Sequence, residues 1–478
     1  MTTEAKFTKG STMRHVVVMT ATASVGLLSL FLVDALNLFY ISLLGVTELA
    51  AAIGFAGTIQ FFMISFSIGL MIAGAAIVSR AIGAGEADRA RRLAGSSLIT
   101  TVLTMTLVAV VSWIFREEML QLLGADGEAL EQGAHFLSIA LCSIPLLGVG
   151  MATSSTLRAH GEARQAMYVT LGGGLFAAVV DPILIFGLDL GITGAALAMA
   201  ITRAFIAAIG LYFVIVRHNL MACPTLPDWL TDLRPLALIA GPAMATQLST
   251  PFGMAYLTRT VAESGDAAVA GWAVIGRIAA LSFGGIFALA GAIGPIVGQN
   301  YGAKLWPRIA SAYRDGLIFV TVYVLVAWAL LNLFTGLIIS GFSLSGAGEE
   351  VLRTFILYGA PAYIFTGALF VSNAAFNNLG RPLWSTGFNW SRDALVIPAL
   401  VFLLASGLGV AAAVYIQAIG GIVVGTVAAI TGWRLVQRIK DRPMAAPQTS
   451  AAPMPPLATG RAATVVTPEP LAKREENR

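Results

Sequence analysis

The sequence predicts an all-α, polytopic membrane protein: twelve transmembrane helices in two parallel six-helix repeats around a central cleft. Three observations predict it. The chain is too apolar for a water-facing surface, its apolar runs have membrane-spanning length, and its motifs return roughly 216–219 positions later.

Of the 478 residues, 57% are hydrophobic and only 11% charged. A soluble domain carries about 25% charged residues because its surface must face water. Here most of the outer surface must face lipid. Fifty glycines fit closely packed membrane helices, where small residues let backbones approach.

Apolar stretches of roughly 20 or more residues, each able to cross about 30 Å of hydrocarbon, recur along the chain. They run from Val16 to Leu44, Leu49 to Ser79, Ala94 to Phe115, Ala134 to Leu157, Ala166 to Gly187 and Gly191 to Val216 in the first half. In the second they run from Leu236 to Thr260, Ala267 to Val297, Gly316 to Ser340, Val351 to Phe376, Leu383 to Ser406 and Gly407 to Trp433. The first run is too long for a signal-peptide core and is expected to remain as a span.

Lys and Arg sort to alternate loops. Lys6, Lys9 and Arg14 precede the first span, and basic residues follow every even-numbered one, as at Arg80, Arg158, Arg217, Lys304, Arg381 and Arg434. The other loops offer only Arg116, Arg259 and Arg353 among many acids. By the positive-inside rule both termini are cytoplasmic, and the chain is expected in the cell inner membrane. The organisation follows: a cytoplasmic N-terminal segment (1–13), an N-terminal six-helix bundle (14–217), a cytoplasmic linker (218–235), a C-terminal bundle (236–440) and a Pro- and Ala-rich disordered cytoplasmic tail (441–478).

Several function classes drop out. The formal charge of +4 is scattered rather than gathered on one face, so nucleic acid is not expected. Cys142 and Cys223 form no metal-ligand spacing, and no metal or cofactor is expected. No His-Glu-x-x-His, Gly-x-Ser-x-Gly or nucleotide-binding loop is present, which argues against an enzyme and against direct ATP drive.

The repeat is legible in particular residues. Val78-Ser79-Arg80-Ala81-Ile82-Gly83-Ala84 answers Val297-Gly298-Gln299-Asn300-Tyr301-Gly302-Ala303. Leu157 to Gly161 answers Asn377 to Arg381, Pro182 answers Pro398, and Gly191 to Ala196 answers Gly407 to Ala412. Because each half holds an even number of spans, the repeats are parallel and enclose a cleft between two like bundles.

An acid in hydrocarbon costs several kcal/mol, so an intramembrane carboxylate is a functional hypothesis. Asp34 lies roughly 27 Å along the first span and Asp181 roughly 22 Å along the fifth, at similar depth in the outward half. Two acids sharing such a site could take a proton from outside and release it inside. The competing structural reading makes Asp181 the cap of a helix restarted at Pro182. Arg203, near the middle of the sixth span, is a possible counter-ion. Asn37, Gln247, Arg277, Arg392 and Asp393 are candidates for the substrate cleft or gating. Arg277, Arg392 and Asp393 also read as buried ion pairs; adjacent residues on a helix point about 100° apart, so Arg392 and Asp393 are expected to pair with other helices.

Other features have blander readings. Gly172-Gly173-Gly174 lies inside a span and reads as close packing. His15, His135, His160 and His218 read as ordinary interfacial residues. Phe55, Phe61, Phe62, Met63 and Phe66 read as packing, or as an adaptable wall for varied ligands.

This chain resembles the multidrug and toxic compound extrusion (MATE) transporters, closest to their DinF-like branch, from about Arg14 to Trp433. The resemblance rests on Val33-Asp34-Ala35, on the turns Ile82 to Gly85 and Gly298 to Ala303, on Asp181-Pro182 and on the glycines opening the sixth span. It implies cation-coupled export of amphipathic, often cationic, drugs and toxic compounds, with Asp34 and Asp181 as coupling residues. Where the family often places asparagines before the fifth-span acid, this chain has Gly173 and Ala177. A sodium-holding threonine of the sixth span is replaced by Met199, and the seventh span offers Gln247 and Ser249 where the sodium-type branch has a glutamate. Sodium wants about five or six oxygens, whereas a proton needs one basic group, so H+ is expected over Na+. A proline often found in the first span is missing. The expected partners are a small amphipathic or cationic substrate and membrane lipid, with the chain acting as a monomer. A lipid or lipid-linked oligosaccharide flippase, and more distantly an intramembrane enzyme, are the alternative readings.

Overall fold

The computed structural model describes residues 4–42 and 47–440, with side chains throughout except at 30–31, 33–39, 41–42, 47–51 and 440. Among the described residues the regular structure is all helical. Six long helices form each half. The first six are α1 (Thr12–Ser42), α2 (Thr47–Gly83), α3 (Ala87–Ile114), α4 (Gly127–Ala159), α5 (Ala163–Gly187) and α6 (Gly191–Arg217). The second six are α7 (Leu226–Ala262), α8 (Asp266–Gly302), α9 (Trp306–Leu333), α10 (Ala347–Asn378), α11 (Pro382–Gly407) and α12 (Gly409–Ile439). Helices α2–α6 and α8–α12 are long and apolar enough to cross a membrane. A short helix follows the third long helix of each half, Arg116–Leu122 and Thr335–Gly341.

The helices outrun the apolar cores that announce them. Helix α7 starts at Leu226, where the Thr225 hydroxyl accepts the Asp228 N–H at 3.4 Å, so residues 226–235 of the expected linker are helix. Polar residues can extend the rod there because they meet partners: Arg92 reaches Asp228 at 2.9 Å and Asp232 at 3.3 Å. Two interruptions matter for the site. The 3-10 turn Leu141–Ser143 breaks α4 ahead of Pro145, and a wide π turn, Ile183–Gly187, follows Pro182, whose missing N–H frees the bond ladder.

The halves meet through α1 on α8, α2 on α7, and α2 against α8. Since α1 answers α7 and α2 answers α8, a pseudo-twofold exchanges the first two contacts and leaves the third on its axis. The ends carrying Arg80, Arg158, Arg308 and Arg381 form what we call the basic end. There the symmetry is local as well. Gly83 and Gly302 stand 219 positions apart; a Cβ on Gly83 would lie 1.9 Å from the Gln299 carbonyl oxygen, and one on Gly302 would lie 2.0 Å from that of Arg80. Only glycine permits so close a crossing. Arg80 and Gln299 are themselves 219 apart: Arg80 Nη2 donates to Asn377 O at 2.8 Å, and Gln299 Nε2 donates to Ala159 O at 2.7 Å.

Candidate functional site

Helices α1 and α5 pack side by side and run in the same direction. A Cβ on Gly26 would touch the Thr170 hydroxyl, Gly174 meets Ser29, and Tyr40 stands edge-on to Phe186 with centroids 6.1 Å apart. Carried along this register, Asp181 comes level with position 36, about 3 Å beyond position 34. Asp34 and Asn37 lie outside the described residues. Asp181 is buried, at 2% exposure. The glycine run of α5 is a packing surface, since Gly173 would strike Ile206 of α6 at 2.3 Å if it carried a Cβ.

Arg203 of α6 is also buried. Its Nη2 donates to Gln60 Oε1 of α2 at 2.7 Å, and its Nη1 donates to Ser143 Oγ at 2.8 Å and Ala140 O at 3.1 Å. The break in α4 makes this possible: the Ile144 N–H turns to Leu141 O, leaving the Ala140 carbonyl open to side-chain donors. These bonds tie the cation to α2 and α4 within the N-terminal half.

In the C-terminal half the expectation for Arg392 and Asp393 is corrected. They pair with each other, Nε to Oδ1 at 2.7 Å and Nη2 to Oδ2 at 2.9 Å, rather than separately with other helices. The widened turn Ser391–Val396 and the long arginine stem bring adjacent side chains onto one side. Asp393 also accepts from Ser249 of α7 at 2.8 Å, so the pair docks α11 against α7. Arg277 departs from the buried-ion-pair reading: it is exposed on α8, with no carboxylate partner among the described residues. Gln247 is half-buried on α7, four residues before Pro251, whose ring removes the donor for the Gln247 carbonyl.

Between α2 and α7 lies a cavity of about 460 Å³, lined by Gly54, Gly57, Phe61, Phe62, Pro251 and Met254 among others. Phe61 and Phe62 thus face the cavity, whereas Met63 is buried and accepts from the Ser112 hydroxyl at 3.6 Å. The cavity belongs to the end opposite the basic one, since α2 begins there.

The basic end is shut, and by residues that sequence reasoning passed over. The turn Lys6–Thr8 inserts a buried Phe7 between the halves. The Phe7 N–H donates to Gln299 Oε1 at 2.9 Å, and its carbonyl accepts from Asn300 Nδ2 at 3.2 Å and Arg308 Nη2 at 2.9 Å. Lys6 pairs with Glu162, and Thr12 donates to Asp315. His160 is buried here rather than interfacial, its Nδ1 2.8 Å from Thr156 O. Lys6 and Phe7 look like any charged N-terminal flank in one dimension; only the repeat symmetry of Gly161 and Gln299 hinted that something must fill this place.

The MatE family model matches residues 22–183 and again 242–402, one copy per half. The chain is 28% identical over 386 residues to an FAD transporter of Shewanella oneidensis, covering 79% of this chain and 85% of that one. It is 25% identical over 433 residues to the multidrug export protein MepA of Staphylococcus aureus, covering 81% and 92%. Its fold superposes on the crystal structure of the Vibrio cholerae MATE transporter VcmN with a TM-score of 0.84 at 26% identity, covering 89% and 96%. Two six-helix halves, a shut basic end and an open cavity opposite it are the architecture of a transporter rather than of an enzyme, and the chain belongs to the MatE family of multidrug and toxic compound extrusion transporters.

Proposed function

We propose that this protein is a proton-coupled antiporter of the inner membrane, with both termini in the cytoplasm, exporting bulky amphipathic or cationic compounds. The observation that carries the reading is the buried Asp181 on α5, packed along the stretch of α1 that bears Asp34. An acid held in a membrane core needs a task, and two on adjacent helices can share a proton. Arg203 supplies a fixed positive charge on the same half, held by Gln60 and Ser143.

With the basic end cytoplasmic, the structure is the state open to the outside. Protons enter from that side and reach the α1–α5 acids, while substrate leaves the cavity walled by Phe61, Phe62 and Met254. Coupling requires only that proton and substrate bind the two states differently. Return to the cytoplasm-open state must undo the Gly83–Gln299 and Gly302–Arg80 contacts and withdraw Phe7.

The test is substrate accumulation in efflux-deficient cells, comparing wild type with Asp34→Asn and Asp181→Asn under a proton gradient and then a sodium gradient. Both variants are expected to lose export at least tenfold, and only the proton gradient is expected to drive the wild type. Export by Asp34→Asn at the wild-type rate removes the coupling assignment, and sodium-only drive reverses the ion.

A second reading, an anionic flavin nucleotide as cargo, is favoured by the unpaired Arg277 on α8 and by the Shewanella relative. Competition between a cationic dye and flavin nucleotides in the same assay separates the two. Flavin export abolished by Arg277→Gln, with dye export intact, supports the second.

A further inference from the structure

The pseudo-twofold leaves one of two equivalent places filled and the other open. In the N-terminal half the place beside Gly161 is taken by the N-terminal segment: a Cβ on Gly161 would lie 3.1 Å from Lys6 Cδ and 3.3 Å from the Phe7 ring. Phe7 supplies the apolar filling, and Lys6 supplies a cation for Glu162. The equivalent glycine 219 positions on is Gly380, and nothing lies within 4 Å of its Cβ position. Beside it is a cavity of about 490 Å³ whose lining includes Tyr301, Arg381, Trp384, Leu435, Arg438 and Ile439.

The charge at this second place is inverted. Glu162 is answered, 219 positions on, by Arg381. A second guanidinium, Arg438 of α12, lines the same cavity, and neither is paired with a carboxylate among the described residues. Arg381 lies over the Trp384 ring at 5.7 Å, and Arg80 over Tyr301 at 5.4 Å. Two like charges in one concavity repel until an anion joins them, and planar guanidinium groups match phosphate geometry. Leu379, Leu435 and Ile439 offer the apolar floor that Phe7 fills in the other half. The complement of this cavity is therefore an amphipathic anion, as the complement of its twin is an amphipathic cation.

We propose that this cavity binds the headgroup phosphate of an anionic phospholipid of the leaflet at the basic end, with the start of its acyl chains against Leu435 and Ile439. Tryptophan and tyrosine beside basic residues at helix ends are the usual furnishing of a membrane interface, and basic pockets between helices there take phosphate headgroups. The chain's own residues 441–478 make a poorer occupant, with five basic residues against four acidic ones. Because Tyr301 also sits in the turn that holds Gln299 and Asn300, lipid in this cavity braces the shut end from the C-terminal side as Phe7 does from the other.

Full-length protein in detergent is offered phosphatidylglycerol or phosphatidylcholine in mixed micelles, and retained lipid is counted by native mass spectrometry. Wild type is expected to retain phosphatidylglycerol at least about tenfold over phosphatidylcholine. Arg381→Gln/Arg438→Gln is expected to remove that preference, and Arg381→Lys/Arg438→Lys to keep most of it. Arg438→Gln alone, at an exposed helix end where folding is not at stake, is expected to lower it roughly fivefold. Equal retention of both lipids by wild type, or an unchanged preference in Arg438→Gln, overturns the proposal. Displacement of the lipid by millimolar inorganic phosphate also overturns it, since the ligand is then a soluble anion.

Discussion

Ser96 and Asp315 hold equivalent positions in the two halves, 219 residues apart, and form the two ends of one hydrogen-bond design. The Ser96 hydroxyl on α3 donates to Asp232 of α7 at 2.7 Å, while Asp315 on α9 accepts from the Thr12 hydroxyl of α1. Each bond joins one half to the first helix of the other, with donor and acceptor exchanged. A buried carboxylate replaces a membrane-facing charge problem with a specific cross-link, because both acids lie at the basic end where α1 and α7 begin.

Thr12→Ala and Ser96→Ala each remove one of these bonds and are expected to cost about 1–2 kcal/mol, the range for a hydrogen bond to a charged group with a second donor still present. Arg314 and Arg92 remain beside Asp315 and Asp232, which keeps the loss from growing larger. The sites share no partner, so the double variant is expected to add the two losses within about 0.5 kcal/mol. Unfolding midpoints in a denaturing detergent series check this, and a strongly non-additive pair refutes the independence of the two cross-links.

The crossing of α2 and α8 gives a sharper outcome. A side chain at Gly83 or Gly302 would place its Cβ within 2.0 Å of a backbone oxygen of the other helix. Backbone cannot yield as a flexible side chain does, so Gly83→Val and Gly302→Val are expected to hold the basic end apart and to abolish export. A cysteine replacing the fully buried Ser79 is expected to become reactive to a membrane-impermeant maleimide applied from the basic end in those variants. Gly291→Ala, with nothing within 4 Å of its Cβ position, is the control and leaves both readouts unchanged.

The twelve spans were readable because hydrocarbon thickness imposes a length and apolar runs announce it, and the alternate-loop arginines gave a common end for Arg80, Arg158 and Arg381. The repeat was readable because turns demand particular backbones: Gly85, Gly161, Lys304 and Gly380 all adopt positive φ, at offsets of 219. Lys304 shows where such reading runs out, since a lysine in that conformation is indistinguishable from a surface lysine in the sequence. Asp181 stood out as an acid in oil, but its alignment with α1 depends on which faces Gly26, Gly174 and Phe186 present, and no linear pattern carries that. Arg392 and Asp393 were misread because ideal helical geometry was applied to a segment with a wide turn. Phe7 escaped altogether, since one phenylalanine among charges gives no periodic signal.

The Arg392–Asp393 pair allows a separate prediction. Both side chains are nearly buried, at 11% and 3% exposure, and Ser249 satisfies the carboxylate further. Asp393→Ala leaves an uncompensated guanidinium and is expected to destabilise by about 3 kcal/mol or more. Arg392→Met/Asp393→Leu removes both charges and is expected to cost less than either single change. Thermal unfolding in detergent orders the three variants. If the double variant is the worst, the pair does more than neutralise itself, and a role in the transport cycle gains support.

His160 makes the basic end sensitive to acid. Burial pushes its imidazole down to about 4 from 6.5, the largest cause being lost hydration of the charged form. Its Nδ1 lies against Thr156 O, and its Nε2 is buried with no partner among the described residues, as a neutral ring requires. Glu162 nearby favours the proton, and Lys6 and His218 oppose it. The unfolded chain therefore binds a proton below about pH 6.5 that the folded chain refuses until about pH 4, so stability falls as pH drops across that window and levels off beneath it. The full loss amounts to roughly 3 kcal/mol from this one side chain. His160→Gln is expected to flatten the slope of unfolding midpoint against pH between 6.5 and 4 while leaving the value at pH 8 within about 1 kcal/mol of wild type. A slope that survives the substitution assigns the acid sensitivity to the carboxylates of the basic end instead, with Asp232 and Asp315 next in line.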